Sequence, residues 1–222
     1  MARVVVKVGG RVAGDAVDLV RERVAAGDEV VVVHGAGPQI TAELEARALP
    51  VRFVRGRRFT DPATLAVVRA SLVAVGAELS AALGPTALHL VGDDIGLEAT
   101  PLPELGLVGE PLPSRPAAVV DALARRLVPV VTPLAVGPLN VNADEAASAL
   151  AAGIDADRVV FVTDVPGVYL EGAVLPLLHA DRATELLDAD AFEGGIVPKL
   201  MAAVQAARRG VAVEIGETAV VA

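Results

Sequence analysis

The chain has 222 residues, enough for one large α/β domain whose core needs no covalent staples. It contains no cysteine, which excludes disulfides and thiolate metal sites, and its three histidines, His34, His89 and His179, lack metal-ligand spacing. The net charge of −9, with 2% aromatic residues and no basic stripe, sets nucleic-acid binding aside. The N-terminus enters a strand-like segment, ARVVVKV, with no signal-peptide pattern. Apolar stretches are read as broken by Gly, Pro or charge before the roughly 18 to 20 residues a membrane helix needs. A cytoplasmic protein with no membrane partner is expected.

Short Val-rich runs alternate with longer segments of helical period, the pattern of a parallel sheet flanked by helices. In chain order, strands are expected near residues 4–8, 29–33, 87–91, 129–132, 158–162 and 211–215. Helices are expected near 16–25, 38–47, 62–83, 116–126, 143–153, 180–187 and 197–209. The fold class is α/β, a three-layer αβα sandwich with a mainly parallel central sheet. The interval 92–114, rich in Gly and Pro, breaks the alternation and predicts antiparallel hairpins at the edge or over the site. There is no fixed-period repeat and no long polar linker, so any division is between lobes sharing one sheet.

Two residue types are rationed. Of nineteen basic residues only two are lysine, Lys7 in VVVKVGG and Lys199 in GGIVPKL, and the only asparagines are Asn140 and Asn142 in LNVNAD. The chain drifts toward Arg, Ala, Val, Gly and Pro, as GC-rich coding produces. A surviving Lys or Asn therefore marks a position where that drift is not tolerated.

VVVKVGG is a buried strand delivering Lys7, Gly9 and Gly10 to its carboxyl end, where ligands gather in doubly wound sheets and where glycines admit a phosphate to main-chain N–H groups. A tight turn with a surface lysine is the plainer alternative. VVVVHGAGPQI repeats the arrangement, with Gly35, Ala36 and Gly37 before a helix whose open amides attract an anion; an ordinary turn with His34 satisfied at the strand end is the alternative. Neither segment matches GxxxxGK[ST] or GxGxxG, which sets P-loop and Rossmann dehydrogenase readings aside.

In VRGRRFTDP, Arg55, Arg57 and Arg58 crowd a loop before a helix, with Thr60 as its expected cap. Guanidinium groups bind carboxylates bidentately, so these are either anchors for a small acidic substrate, Arg58 first among them, or solvated surface charges. In LNVNADEAASAL, Asn140 and Asn142 alternate along a strand and can face one site with Asp144 just beyond. Asn142 and Asp144 could instead merely cap the helix or complement its dipole. FVTDVPGVY, with Thr163 to Tyr169, is a strand end turning sharply, suited to a ribose and base. In AFEGGIVPKL, Gly195 precedes a helix that carries Lys199 early, where an ammonium is unfavourable unless an anion offsets the helix dipole.

Two lysines from opposite ends of the chain with an aspartate between them form a phosphoryl-transfer arrangement. That chemistry needs in-line positioning and neutralisation of charge on the phosphoryl oxygens. A compact ammonium sits against one oxygen where a guanidinium fork would not. Asp144 would orient both ammonium groups and keep them protonated. A carboxylate acceptor needs no general base.

VVVKVGG, VVVHGAGPQI, GRRFTD, LNVNADEAASALA, FVTDVPGV and GGIVPKL, in this order and over nearly the whole chain, resemble the N-acetylglutamate kinase family of the amino acid kinase superfamily. The resemblance implies an acceptor-binding, dimerising lobe over about 1–138 and an ATP lobe over 139–222. It implies transfer of the ATP γ-phosphoryl group to the side-chain carboxylate of N-acetyl-L-glutamate, the second step of arginine synthesis, with Mg²⁺ arriving on ATP and no dedicated protein metal site. A homodimer is implied. Lys7 and Lys199 match the transition-state lysines and Asp144 the aspartate that organises them. Ala36 and Gly37 match the acceptor cradle, Arg58 the carboxylate anchor, and Asn140 a substrate contact. Asp164, Val165, Gly167, Val168, Tyr169 and Phe192 fall on nucleotide-binding segments. The reading of the residues adds Gly35 and Asn142 to the acceptor contacts, and Gly9, Gly10, Thr163 and Gly195 to the nucleotide contacts.

Three departures carry expectations. HGAG stands where HGGG is usual in the family, so the Ala36 methyl could crowd the acceptor. The tail ETAVVA leaves no room for the family's C-terminal helix, and the chain starts at its first strand, which predicts a dimer insensitive to arginine. Rival readings are a kinase for carrier-linked aminoadipate or glutamate, and a non-catalytic ligand sensor on the same fold.

Overall fold

Runs of valine that are apolar at every position suit strands covered on both faces, and here they build one eight-stranded sheet. The structure, a computed structural model, describes residues 1–9, 13–54 and 56–222. Gly10 and Arg55, both singled out in the sequence, lie outside the described residues.

The main-sheet strands are β1 (Arg3–Val8), β2 (Glu29–His34), β3 (Ala87–Val91), β4 (Val128–Thr132), β5 (Arg158–Phe161), β6 (Leu177–His179), β7 (Ala212–Ile215) and β8 (Thr218–Val221). Their order is β6-β8-β7-β5-β1-β2-β4-β3, parallel throughout except for the β7–β8 pair. The helices are α1 (Ala13–Ala25), α2 (Gly37–Ala46), α3 (Pro62–Leu83), α4 (Ala117–Ala124), α5 (Ala143–Gly153), α6 (Ala180–Asp188) and α7 (Ile196–Arg208).

Alternation along the strands feeds two cores. Val4, Val6 and Val8 pack with Val30, Val32, Val17 of α1 and Leu79 of α3. Val5, Val31 and Val33 pack on the other face with Val119 of α4, Leu150 of α5, Ala183 of α6 and Leu200 of α7. Helices therefore cover both sides of the sheet. Lys7, in phase with Val5, leaves the sheet on the α5 side.

Boundaries differ from expectation by a few residues at most for these helices. The strands β6 and β8 were not foreseen, because three- and four-residue runs show no period. The tail expected only to be too short for a helix is β8, antiparallel to β7 across a turn at Gly216 and parallel to β6. In the interval 92–114, Ala99–Pro101 pairs antiparallel with Val108–Pro111, as expected, and Val108 also pairs in parallel with Asn140. The interval is thus tied to the asparagine strand Leu139–Val141.

Two corrections concern α3. Its N-cap is Asp61, whose side chain accepts from the Thr64 N–H at 2.7 Å, and not Thr60. At 22 residues with a mean hydropathy of 1.6 in its most apolar window, it is also long and apolar enough to cross a membrane by composition alone. It interposes Arg69 and Glu78, buries Val67, Val68 and Leu72 in a cluster with Ile40 and Leu44 of α2, and packs Leu79 against the sheet valines.

Candidate functional site

The carboxyl ends of β1, β2, β4 and β5 point the same way, so the turns that follow them converge. Lys7 lies one residue before the end of β1, and β5 places Phe161 beside it in register. Opposite stands the start of α5. Its cap is Asn142, whose Oδ1 accepts from the N–H groups of Asp144 at 2.8 Å and Glu145 at 3.2 Å. Asp144, in that first turn, enjoys the positive helix end.

Asp144 Oδ1 receives both lysines, Lys7 Nζ at 2.8 Å and Lys199 Nζ at 3.1 Å. Lys199 comes from the first turns of α7, with its ammonium 5.3 Å from the centre of the Phe161 ring. Burial pushes the Asp144 carboxyl up, but the two ammonium groups and their hydrogen bonds outweigh it and hold the group below the ordinary aspartate range. Burial pulls Lys199 down and Lys7 adds to this, while Asp144 opposes both without cancelling them. Asp144 therefore favours the charged form of Lys199, as expected, against the larger effect of burial.

Two cavities meet at this triad. The first, about 670 Å³, is lined by Gly35, Ala36, Gly37, Arg58, Asn140 and Asn142 among others. The second, about 710 Å³, is lined by Thr163, Asp164, Val165, Gly167, Tyr169, Phe192, Gly195 and Lys199 among others. Lys7, Gly9, Pro38 and Asp144 line both.

In the first cavity Arg58 is buried. Its Nη2 donates to Thr41 Oγ1 at 2.8 Å, its carbon lies 4.5 Å from the Phe53 ring centre, and Nη1 has no hydrogen-bond partner among the described residues. Burial lowers its pKa, and among the described residues no carboxylate pairs with it. Asn140 Nδ2 donates to Thr60 Oγ1 at 3.0 Å, and that hydroxyl donates to the Arg58 carbonyl, bracing the arginine strand. Asn142 shares the cavity but commits its carbonyl oxygen to the helix cap. Ala36, at φ −140°, packs with the apolar cluster of Ile40, Leu44 and Leu72 and also lines the first cavity.

Val168 is a correction. Expected against the nucleotide, it is 0% exposed, donates its N–H to Thr218 Oγ1 at 2.8 Å and belongs to the core. Its neighbours Gly167 and Tyr169 do line the second cavity. The sequence reading missed Thr41 and Phe53 beside Arg58, and the ion pair of Arg57 with Glu145, because partners distant in sequence leave no local signal.

Behind the glycine turn lies a buried network. His34 Nε2 and His89 Nε2 both meet Thr132 Oγ1, at 3.1 and 2.8 Å, and a Cβ at Gly76 would stand 2.3 Å from His89 Nε2, so only glycine fits there. Burial first, then His89 and Lys7, lower the His34 pKa from 6.5 to about 4, against a smaller opposing effect of the Gly35 backbone. The unfolded chain therefore binds the extra proton between these values. Stability contributed by neutral His34 is full above about pH 6.5 and is lost as pH falls toward 4, by up to about 3 kcal/mol. Thermal unfolding from pH 7 to 4.5 checks this: His34→Gln is expected to flatten the slope, and equal slopes would contradict it.

The amino acid kinase family matches this chain over residues 2–216. The acetylglutamate kinase of Roseiflexus castenholzii is 39% identical over 222 residues, covering 93% of this chain and 86% of its own. That of Rubrobacter xylanophilus is 38% identical over 224 residues, covering 97% and 88%. A crystal structure of a Streptococcus mutans UA159 protein, smu.665, superposes with a TM-score of 0.90 at 29% identity, covering 99% of this chain and 98% of that one.

Proposed function

The chain belongs to the amino acid kinase family, and on that premise we propose that it transfers the γ-phosphoryl group of ATP to the side-chain carboxylate of N-acetyl-L-glutamate, in arginine biosynthesis. The observation that carries this reading is the meeting of two cavities at Lys7 and Asp144, one holding a buried arginine whose Nη1 has no partner among the described residues and the other the second lysine.

The acceptor occupies the first cavity with one carboxylate on Arg58 Nη1 and its reacting carboxylate toward Lys7. ATP occupies the second. A carboxylate oxygen of the acceptor forms a bond to the γ-phosphorus while the bond from that phosphorus to the β,γ-bridging oxygen breaks, and ADP leaves with the electron pair. No proton has to move. Lys7, common to both cavities, neutralises the group in transit, and Lys199, on the nucleotide side, neutralises charge growing on the leaving phosphate. Asp144 fixes both ammonium positions.

Gly35 and Gly37 give the acceptor close approach to main-chain amides, and Gly9 does the same for the phosphates. Mg²⁺ enters as part of the nucleotide substrate, consistent with the commitment of Asp144 to two lysines. A cytoplasmic homodimer belongs to the same reading, with residues 1–138 as the acceptor and dimerising lobe and 139–222 as the ATP lobe. Ala66, Ala70, Ala74 and Ala77 leave one face of α3 exposed and smooth enough for a second helix.

ADP release measured with N-acetylglutamate, glutamate, aspartate and glutamate linked to a small acidic carrier protein tests the acceptor. Turnover with N-acetylglutamate alone is expected. Turnover with the carrier-linked substrate alone would overturn the proposal, and so would ATP binding without turnover of any acceptor.

A further inference from the structure

The Phe53–Val54 and Arg57–Arg58 strands form a hairpin on the rim of the first cavity, and its contacts reach the helices of the other side. Arg57 is bidentate on Glu145, Nε to Oε1 at 3.1 Å and Nη2 to Oε2 at 3.0 Å. Glu145 follows Asp144 directly in the first turn of α5, and its side chain is 8% exposed, so the pair is not a solvated surface bridge. Glu110, at 3.8 Å, adds a second, more exposed carboxylate.

At the hairpin turn, Gly56 has φ +77°, and a Cβ there would lie 3.9 Å from Pro198 Cβ, in ordinary van der Waals contact. Pro198 immediately precedes Lys199. The hairpin is thus fastened to the first turn of α5, and its Gly56 turn faces Pro198 at the start of α7; Arg57 is its only charged fastening to α5 among the described residues.

We propose that Arg57 and Glu145 are a positioning pair, a latch that holds the Arg57–Arg58 strand at the rim of the first cavity and ties its position to the start of the helix bearing Asp144. A carboxylate buried at that point without its arginine would stand unpaired beside Asp144, so each partner depends on the other. The latch acts on the acceptor because Arg58, next in the chain, moves with Arg57. This rests on the reading of the first cavity as the acceptor site.

The test uses Arg57→Met, Glu145→Gln, the double variant and Arg57→Lys in the full chain, with two readouts. Hydrogen exchange without ligands is expected to speed up about tenfold at residues 53–58 in the first three variants, the scale of one charge-assisted bidentate contact, leaving β1 and β2 unchanged. Kinetics are expected to show the KM for N-acetylglutamate raised about tenfold with that for ATP within about twofold. The double variant should be no worse than Arg57→Met, since a latch opened once cannot be opened again, and Arg57→Lys should be intermediate.

Unchanged hairpin exchange in Arg57→Met would overturn the latch. So would parallel shifts of both KM values with the thermal midpoint, the sign of a merely structural pair. If the wild-type chain does not turn over N-acetylglutamate, the proposed function fails, while the exchange experiment still decides the latch.

Discussion

Replacing Lys199 by alanine is expected to lower kcat by about 10² to 10³-fold, the loss that follows removal of one preorganised electrostatic stabiliser. The fold should survive, because Asp144 keeps Lys7 at 2.8 Å and burial already disfavours the charge of Lys199. Lys7→Arg should fall comparably, since a planar fork cannot occupy the place of a compact ammonium shared by two cavities.

Asp144→Asn makes the companion prediction in pH. Burial lowers the Lys199 pKa and Asp144 opposes that, so removing the carboxylate lowers it further. The ammonium is the working form and is lost as pH rises through its pKa. The basic limb of the kcat profile should therefore move to lower pH in Asp144→Asn, and an unmoved limb would contradict the assigned coupling.

Arg58→Met is the second large effect, expected in KM. A buried donor without a partner costs about 1 to 3 kcal/mol, and an acceptor carboxylate on Nη1 would relieve it. Losing that contact should raise the KM for N-acetylglutamate by about 10- to 100-fold and leave the KM for ATP nearly unchanged. Arg58→Lys should recover little, because an ammonium cannot bond Thr41, lie against Phe53 and address a carboxylate at once. Equal rises in both KM values would show that Arg58 supports the fold and not the acceptor.

The sequence made the triad legible through rationing: in a chain so rich in arginine, Lys7 and Lys199 stood out, and both reach one oxygen of Asp144. The inner strands were legible for a different reason, since burial on both faces leaves unbroken apolar runs such as VVVV in β2. The edge strand β6 and its neighbour β8 were not, because runs of three and four residues carry no period of their own. Asn142 joins the two roles the sequence offered as alternatives, since it lines the cavity and its carbonyl serves the helix cap that aims Asp144. Val168 failed because a motif segment need not contact a ligand at every residue, and in this one the chain turns a valine into the core. Arg57 was visible as a charge, yet its partner Glu145 is eighty-eight positions away in the sequence.

Hydroxylamine trapping of the acyl phosphate tests the central claim most directly. With ATP, Mg²⁺ and N-acetylglutamate, the wild-type protein should yield N-acetylglutamyl hydroxamate in step with ADP, and Lys199→Ala should lose both together. Formation of ADP without hydroxamate would mean that the phosphoryl group does not reach the carboxylate, and would contradict the account.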